Sequence, residues 1–466
     1  MNEAVNKRID QLKDDIVKST QKLVQIKSVE AEVKEGMPFG EGVKEALETA
    51  LKLADILGLK NKNIDNYAGH VEIGRGEEIL GILCHLDVVP EGRDWTYPPY
   101  SAEIVDNKIY GRGAIDNKGP AVAALYALKA VQDSGIELRK RVRLIFGTDE
   151  ESGWKGLKYY LEHEETPDFA FSPDAEFPVI HGEKGILTFK LKARFNNQGD
   201  GKFIINSIQG GNAPNMVPDY CEAHLRTDYP EELSEKLSKF SEKTGYKLEL
   251  DEEGEEIIIK SHGISAHGSL PEDGQNAISQ LLVFIKTLDL AEDDIGRFID
   301  FYNEKIGMEY HGESIGCELR DELSGPLTFN VGMIRLDNKG AEITVNIRYP
   351  VTLSKEEVFT GIRAELEGTG VELEEGEHME PLYVPKDDPL VTKLMKVYQE
   401  FTGDRREPIT IGGGTYARAI ERAVAFGPLF PGQVELAHQR DEYISIDDLI
   451  LNAKIYANAI IELAKD

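Results

Sequence analysis

Cysteine is nearly absent: Cys84, Cys221 and Cys317 are the whole complement of a 466-residue chain. Three thiols so far apart exclude a disulfide framework, and Cys84, inside an apolar run, reads as a packed strand residue. No stretch is long and apolar enough to span a bilayer. The opening run MNEAVNKRIDQLKDDIVKSTQKL lacks the apolar core of a secretory signal and reads as an amphipathic helix, so the cytoplasm is the expected compartment. Bases are outnumbered, 53 against 84 acids, for a net charge of −31. Such a surface repels phosphate backbones and anionic lipid, so neither nucleic acid nor membrane is an expected partner. The acidic runs (Glu252, Glu253, Glu255, Glu256; Glu372, Glu374, Glu375, Glu377) read as solvated faces and turns. His-Glu-x-x-His and Gly-x-x-x-x-Gly-Lys-Ser/Thr are missing, which counts against thermolysin-type and P-loop chemistry. Serine-hydrolase chemistry is not expected either.

With 41% hydrophobic and 29% charged residues, the chain can bury substantial cores. From residue 1 to 183 helical and strand patterns alternate. Residues 4–26 and 44–58 read as amphipathic helices and ILGILC (79–84) as a buried strand. A helix over 118–134 carries Pro120 in its first turn, where proline is tolerated. RVRLIFG (141–147) and 168–172 read as further strands. Residues 184–378 are richer in alternating strands, among them LTFKLKARF, EAHLRTDY, EEIIIKSHG and AEITVNIRY. Two stretches there, 222–237 and 342–358, each read as strand, Tyr-Pro, helix, which raises an internal duplication. From 379 to 466 the helix–strand alternation returns, with a helical run expected over 416–422. The expectation is an α/β protein: a split catalytic domain (1–183 and 379–466) with a central mixed sheet flanked by helices, interrupted by a large inserted α+β lid domain (184–378).

His85, Asp116, Glu151, Asp174 and His438 lie in the outer segments, in the runs ILCHLDVVP, YGRGAIDNKGP, FGTDEES, FSPDAEF and LAHQRDE. Three of these motifs directly follow apolar runs, and open α/β sheets gather ligands outside the carboxyl ends of strands. Two imidazoles and three carboxylates would hold two divalent cations, so a metal-dependent hydrolase is the first reading. Asp87, two residues after His85, can reach the far nitrogen of that ring and set its tautomer. Asp116 can bridge two cations or cap the following helix. Of the adjacent pair, Glu151 suits the metal and Glu150 the general base. His267, in the insert, could stabilise an oxyanion or sit in a structural turn. Asn215 is a similar case, and Arg348 could fork onto a substrate carboxylate. The glycine run before Thr415 could offer backbone N–H groups to an anion.

Together these runs resemble the PepV-type bacterial dipeptidases, in the di-metal family that includes carnosinases, aminoacylases and carboxypeptidase G. The strings GRG-x-x-D-x-KGP, PDAEFP-x-x-HGEKG, NMVPD, NIRYP, TIGGGTYAR and VAFGP carry the likeness with those above, in the family's order. The resemblance implies that His85 and Asp174 bind one metal, Glu151 and His438 the other, with Asp116 bridging. It implies Glu150 as base, Asp87 as the group that orients His85, and His267 as oxyanion donor. Asn215, Arg348 and the Gly413-Gly414-Thr415 backbone would hold the substrate. Two divalent ions per subunit are implied, Zn²⁺ first, with Mn²⁺ or Co²⁺ as alternatives. The implied substrate is a dipeptide, and the long insert fits a monomer. N-acyl amino acid deacylase and carboxypeptidase are the alternative activities of the same family. One departure stands out: the family usually has Asp after the bridging residue, and here it is Asn117. The peptide bond there is typically cis in the family, a form costing about 3–4 kcal/mol for a non-proline residue.

Overall fold

The computed structural model describes residues 1–197, 199–253 and 256–465. Glu255, one of the acids read as a solvated turn, lies outside them; Glu372, Glu374, Glu375 and Glu377 are all exposed. Two compact units emerge: one of residues 1–182, 382–410 and 414–466, the other of residues 183–381 and 411–413.

The first unit is built on a mixed sheet in the order Lys60–Ile64, Ala68–Gly74, Arg141–Gly147, Ile79–His85, Phe169–Ser172, Ala423–Ala425, Ile180–Glu183, Leu382–Tyr383. The four strands from Arg141–Gly147 to Ala423–Ala425 run parallel, so their carboxyl ends share one edge. Side chains alternate across this sheet, as a period of two requires. Leu80, Ile82, Cys84, Leu144 and Phe146 join one core with the helices Lys118–Asp133 and Ile446–Ala464. Leu83 and Ile145 point the other way, into a core with Leu157, Tyr160 and Tyr416. Strands buried on both faces read as continuous apolar runs, which is why ILGILC and RVRLIFG are visible in the sequence.

The helix expected over 4–26 is two, Glu3–Gln11 and Lys13–Val24, meeting at Leu12 with φ −92° and ψ 2°. Neither glycine nor proline marks that break; Leu12 is itself a core residue. The helical run expected after the glycines is a four-residue 3₁₀ turn, Tyr416–Ala419.

The second unit holds an antiparallel sheet of eight strands. Their order is Lys247–Glu253, Glu256–His262, Tyr220–Arg226, Ile204–Gly210, Thr328–Asp337, Gly340–Tyr349, Gly185–Arg194, Val371–Met379. One face packs under helices such as Ala277–Ile285 and Lys355–Leu366. The opposite face is polar, with Lys190 and Lys192 paired to Glu342. The two similar sequence stretches occupy matching places. Strands Tyr220–Arg226 and Gly340–Tyr349 each lie third from an edge, and each is followed in the chain by a helix and then an edge strand. No helix among the described residues is long and apolar enough to cross a membrane.

Candidate metal centre

The parallel strands of the first unit deliver their carboxyl ends to one place. His85 is the last residue of Ile79–His85; Glu150 and Glu151 follow Arg141–Gly147; Asp174 follows Phe169–Ser172. Asp116 comes from the turn before helix Lys118–Asp133, and His438 from a loop where it adopts φ 63°.

Two ligand sets result, His85–Asp116–Asp174 and Asp116–Glu151–His438, each with its ligand atoms within 4.8 Å of one another. His85 Nε2 lies 2.9 Å from Asp116 Oδ1 and 3.5 Å from Asp174 Oδ1. His438 Nε2 lies 3.1 Å from Asp116 Oδ2 and 3.1 Å from Glu151 Oε2. Asp116 thus turns one oxygen to each imidazole.

Electrostatics describe the same space. Burial opposes charge on His438, yet hydrogen bonds with Asp116 and Glu151 push it up to about 11. Burial likewise opposes charge on His85, and Asp174 and Asp116 lift it well above the usual imidazole range. Burial works against ionisation of Asp116, but the hydrogen bonds from His438 and His85 hold its carboxyl far below the ordinary range. Burial raises Glu150 well above it, with the Asp174 and Glu151 charges adding to the effect. These carboxylates create a strong demand for positive charge between the two imidazoles, which divalent cations would meet. The nitrogen and oxygen donors suit zinc, manganese or cobalt.

Neighbouring groups hold the ligands. His85 Nδ1 faces the backbone oxygen of Asp87 at 3.0 Å and its carboxylate at 3.5 Å. The Asp87 carboxylate also accepts the N–H of Glu150 at 3.1 Å and of Glu151 at 3.0 Å, one on each oxygen. Asp87 therefore ties the His85 loop to the Glu150–Glu151 loop, a link the sequence spacing did not suggest. The Asp116–Asn117 peptide is cis. Asn117 Nδ2 donates to Asp174 Oδ1 at 2.8 Å and to the Pro173 oxygen at 2.6 Å, so an amide here can do what a carboxylate could not. Gly147 has no room for a side chain, since a Cβ would meet the Tyr416 ring at 2.3 Å.

Two further residues escaped sequence reasoning. Glu442 accepts the N–H of Ile115 at 3.0 Å and of Asp116 at 3.2 Å on one oxygen. Its other oxygen takes Arg112 Nη1 at 2.6 Å, and Arg112 Nη2 donates to the His438 oxygen at 3.1 Å. Glu442 follows His438 closely, but an acid in so acidic a chain carries no signal by itself. A Gly-x-Ser-x-Gly string does occur, Gly312 to Gly316, in the second unit. It lies between helix Asp294–Lys305 and strand Arg320–Asp321, not on a strand-to-helix elbow, and Ser314 Oγ donates to Glu309 at 2.5 Å. It builds no nucleophile.

The remaining candidates divide between the units. Asn215, His267 and Arg348 belong to the second, with Gly413; Gly414 and Thr415 belong to the first. Asn215 and His267 are exposed. Arg348 is buried and donates from Nε to Asn346 Oδ1 at 3.1 Å and from Nη1 to the Gly412 oxygen at 3.0 Å. Thr415 Oγ1 accepts the Ala417 N–H and caps the 3₁₀ turn. So short a turn gives the glycine run no helix behind it, which removes the helix-dipole argument for an anion site there.

The sequence profile of peptidase family M20/M25/M40 matches residues 81–462. "Putative dipeptidase YtjP" of Bacillus subtilis (strain 168) is 44% identical over 458 residues, 97% of this chain and 98% of that protein. "Putative dipeptidase SH1171" of Staphylococcus haemolyticus is 38% identical over 98% of both chains. In fold the chain is similar to human carnosine dipeptidase 1, with a TM-score of 0.60 and 16% identity over 99% of this chain and 98% of that one.

Proposed function

The chain belongs to the M20/M25/M40 peptidase family, a group of hydrolases, and from that premise we propose that it is a dipeptidase working with two divalent cations. The observation that carries this reading is Asp116, whose two oxygens face two separate imidazole–carboxylate sets. The names of its relatives, dipeptidases over nearly their full length, support the substrate class.

His85 and Asp174 would hold one ion, Glu151 and His438 the other, with Asp116 shared. Zn²⁺ is the first choice, with Mn²⁺ or Co²⁺ as alternatives, since imidazole and carboxylate donors suit all three. When bound, the ions would supply Lewis acidity toward the scissile carbonyl and toward water. Glu150 takes a proton from the attacking water and later delivers it to the leaving amine. Asp87 holds the backbone of Glu150 and Glu151 in place and fixes the His85 tautomer. His267 donates a hydrogen bond to the oxyanion. Asn215, Arg348 and the Gly413-Gly414-Thr415 backbone bind the substrate, including its terminal carboxylate. In this reading residues 1–183 and 379–466 are the catalytic domain and 184–378 a lid, and the enzyme is a cytoplasmic monomer without nucleic-acid or membrane partners.

The test is hydrolysis of a dipeptide panel beside matched tripeptides and N-acetyl amino acids, after metal stripping and readdition of Zn²⁺ or Mn²⁺. Metal-restored cleavage confined to dipeptides is the expected result. Cleavage of acylated amino acids alone would make the protein a deacylase, and no cleavage with any metal would end the reading.

A further inference from the structure

His267 Nδ1 lies 2.6 Å from the hydroxyl oxygen of Ser269 and 3.3 Å from the Ser269 backbone nitrogen. A backbone N–H can only donate, so its approach requires a lone pair on Nδ1. The amide contact favours the tautomer with hydrogen on Nε2 and opposes a proton on Nδ1, and once the lone pair is there the hydroxyl adds a second, shorter hydrogen bond to it.

Ser269 is held in turn. Gly412 lies so close that a Cβ added there would meet Ser269 Cβ at 2.7 Å. The Gly412 oxygen accepts from Arg348 Nη1 at 3.0 Å. The turn itself is braced by the Gly268 N–H on the Asn215 oxygen at 2.7 Å and the Leu270 N–H on the His267 oxygen at 2.9 Å. All of these residues lie in the second unit, so the short segment 411–413 returns to that unit and presses on the serine beside His267.

We propose that Ser269 is a positioning residue that locks His267 in its Nε2–H form, so that a neutral imidazole donates to the oxyanion. A neutral donor responds to charge that develops during the reaction and gives little to a resting carboxylate, which favours turnover over ground-state binding. The kinetic consequence rests on the dipeptidase reading; the tautomer is a property of the chain alone.

The experiment uses the Zn²⁺-loaded enzyme labelled with ¹⁵N-histidine and long-range ¹H–¹⁵N spectra, with the His267 signals identified by their loss in His267→Gln. The native enzyme should show the Nε2–H tautomer. Ser269→Ala, left with only the long 3.3 Å amide contact, should show a tautomer mixture, with kcat down about 10-fold and KM within about twofold. Gly412→Ala, which forces Ser269 aside, should move the spectrum the same way. A native Nδ1–H form or imidazolium overturns the proposal. So does a Ser269→Ala enzyme that keeps the pure Nε2–H form, whatever its rate. If the native enzyme cleaves no dipeptide, the dipeptidase reading fails, while the tautomer comparison still decides the role of Ser269.

Discussion

Arg112 and Glu442 pair at 2.6 Å with side chains 2% and 0% exposed, and between them they grip the backbone of Asp116 and of His438. Two loops far apart in sequence are thereby fixed as one ligand platform. Burial, with the Asp116 charge adding, pushes Glu442 up to about 7 while Arg112 opposes the shift, so the pair is costly to form and more costly to halve.

Glu442→Gln leaves Arg112 buried without its counter-charge, and the metal-free protein should lose about 3–5 kcal/mol in urea denaturation. Replacing both partners, Arg112→Met with Glu442→Met, should recover much of that stability but not metal affinity, because the Asp116 amide still lacks its acceptor. Equal stability for the single variant and the native protein would show that the pair holds nothing.

Glu150→Ala should lower kcat by about 10²–10⁴-fold, the usual contribution of a positioned base. The variant should still bind two equivalents of metal by elemental analysis, since no ligand is removed. Unchanged turnover would take the proton-transfer role away from Glu150.

Asp87→Ala removes the acceptor of two backbone N–H groups and a neighbour of His85 Nδ1. Metal affinity or activity should fall about 10–100-fold, read by competition with a chelator. An unaltered titration would leave Asp87 with a purely structural part.

His70 gives a pH dependence remote from the ligands. Arg143 Nη1 donates to the Tyr160 oxygen, whose hydroxyl lies 2.9 Å from His70 Nδ1. Burial, then the Arg143 charge, lowers His70 to about 4. The unfolded chain takes up a proton near pH 6.5 and the folded chain only near pH 4, so this contribution is intact above 6.5 and declines as the pH falls between them. Between pH 7 and pH 5 the native protein should lose about 2 kcal/mol more than His70→Gln. Parallel losses in the two proteins would exclude His70 as the source.

Strand interiors and the motifs that follow them were legible because a sheet buried on both faces demands unbroken apolar runs. His85, Glu151 and Asp174 announce themselves by standing just beyond such runs. Asp116 was ambiguous, since an acid before a helix is also a cap; only its position between two imidazoles separates the readings. The break at Leu12 was not legible, because no residue there forbids a helix.

The sequence by itself determined the alternation of helix and strand and the chain order of the ligand motifs, because composition and period are local properties. Tertiary structure alone decided that Glu442 seats Asp116, that Asn117 steadies Asp174, that Asp87 binds two amides and that Ser269 faces His267. Each of those contacts joins groups whose types are unremarkable in their own segments. A hydrogen bond between distant residues becomes specific only when folding removes water and brings donor to acceptor, and no local pattern records which partner will arrive.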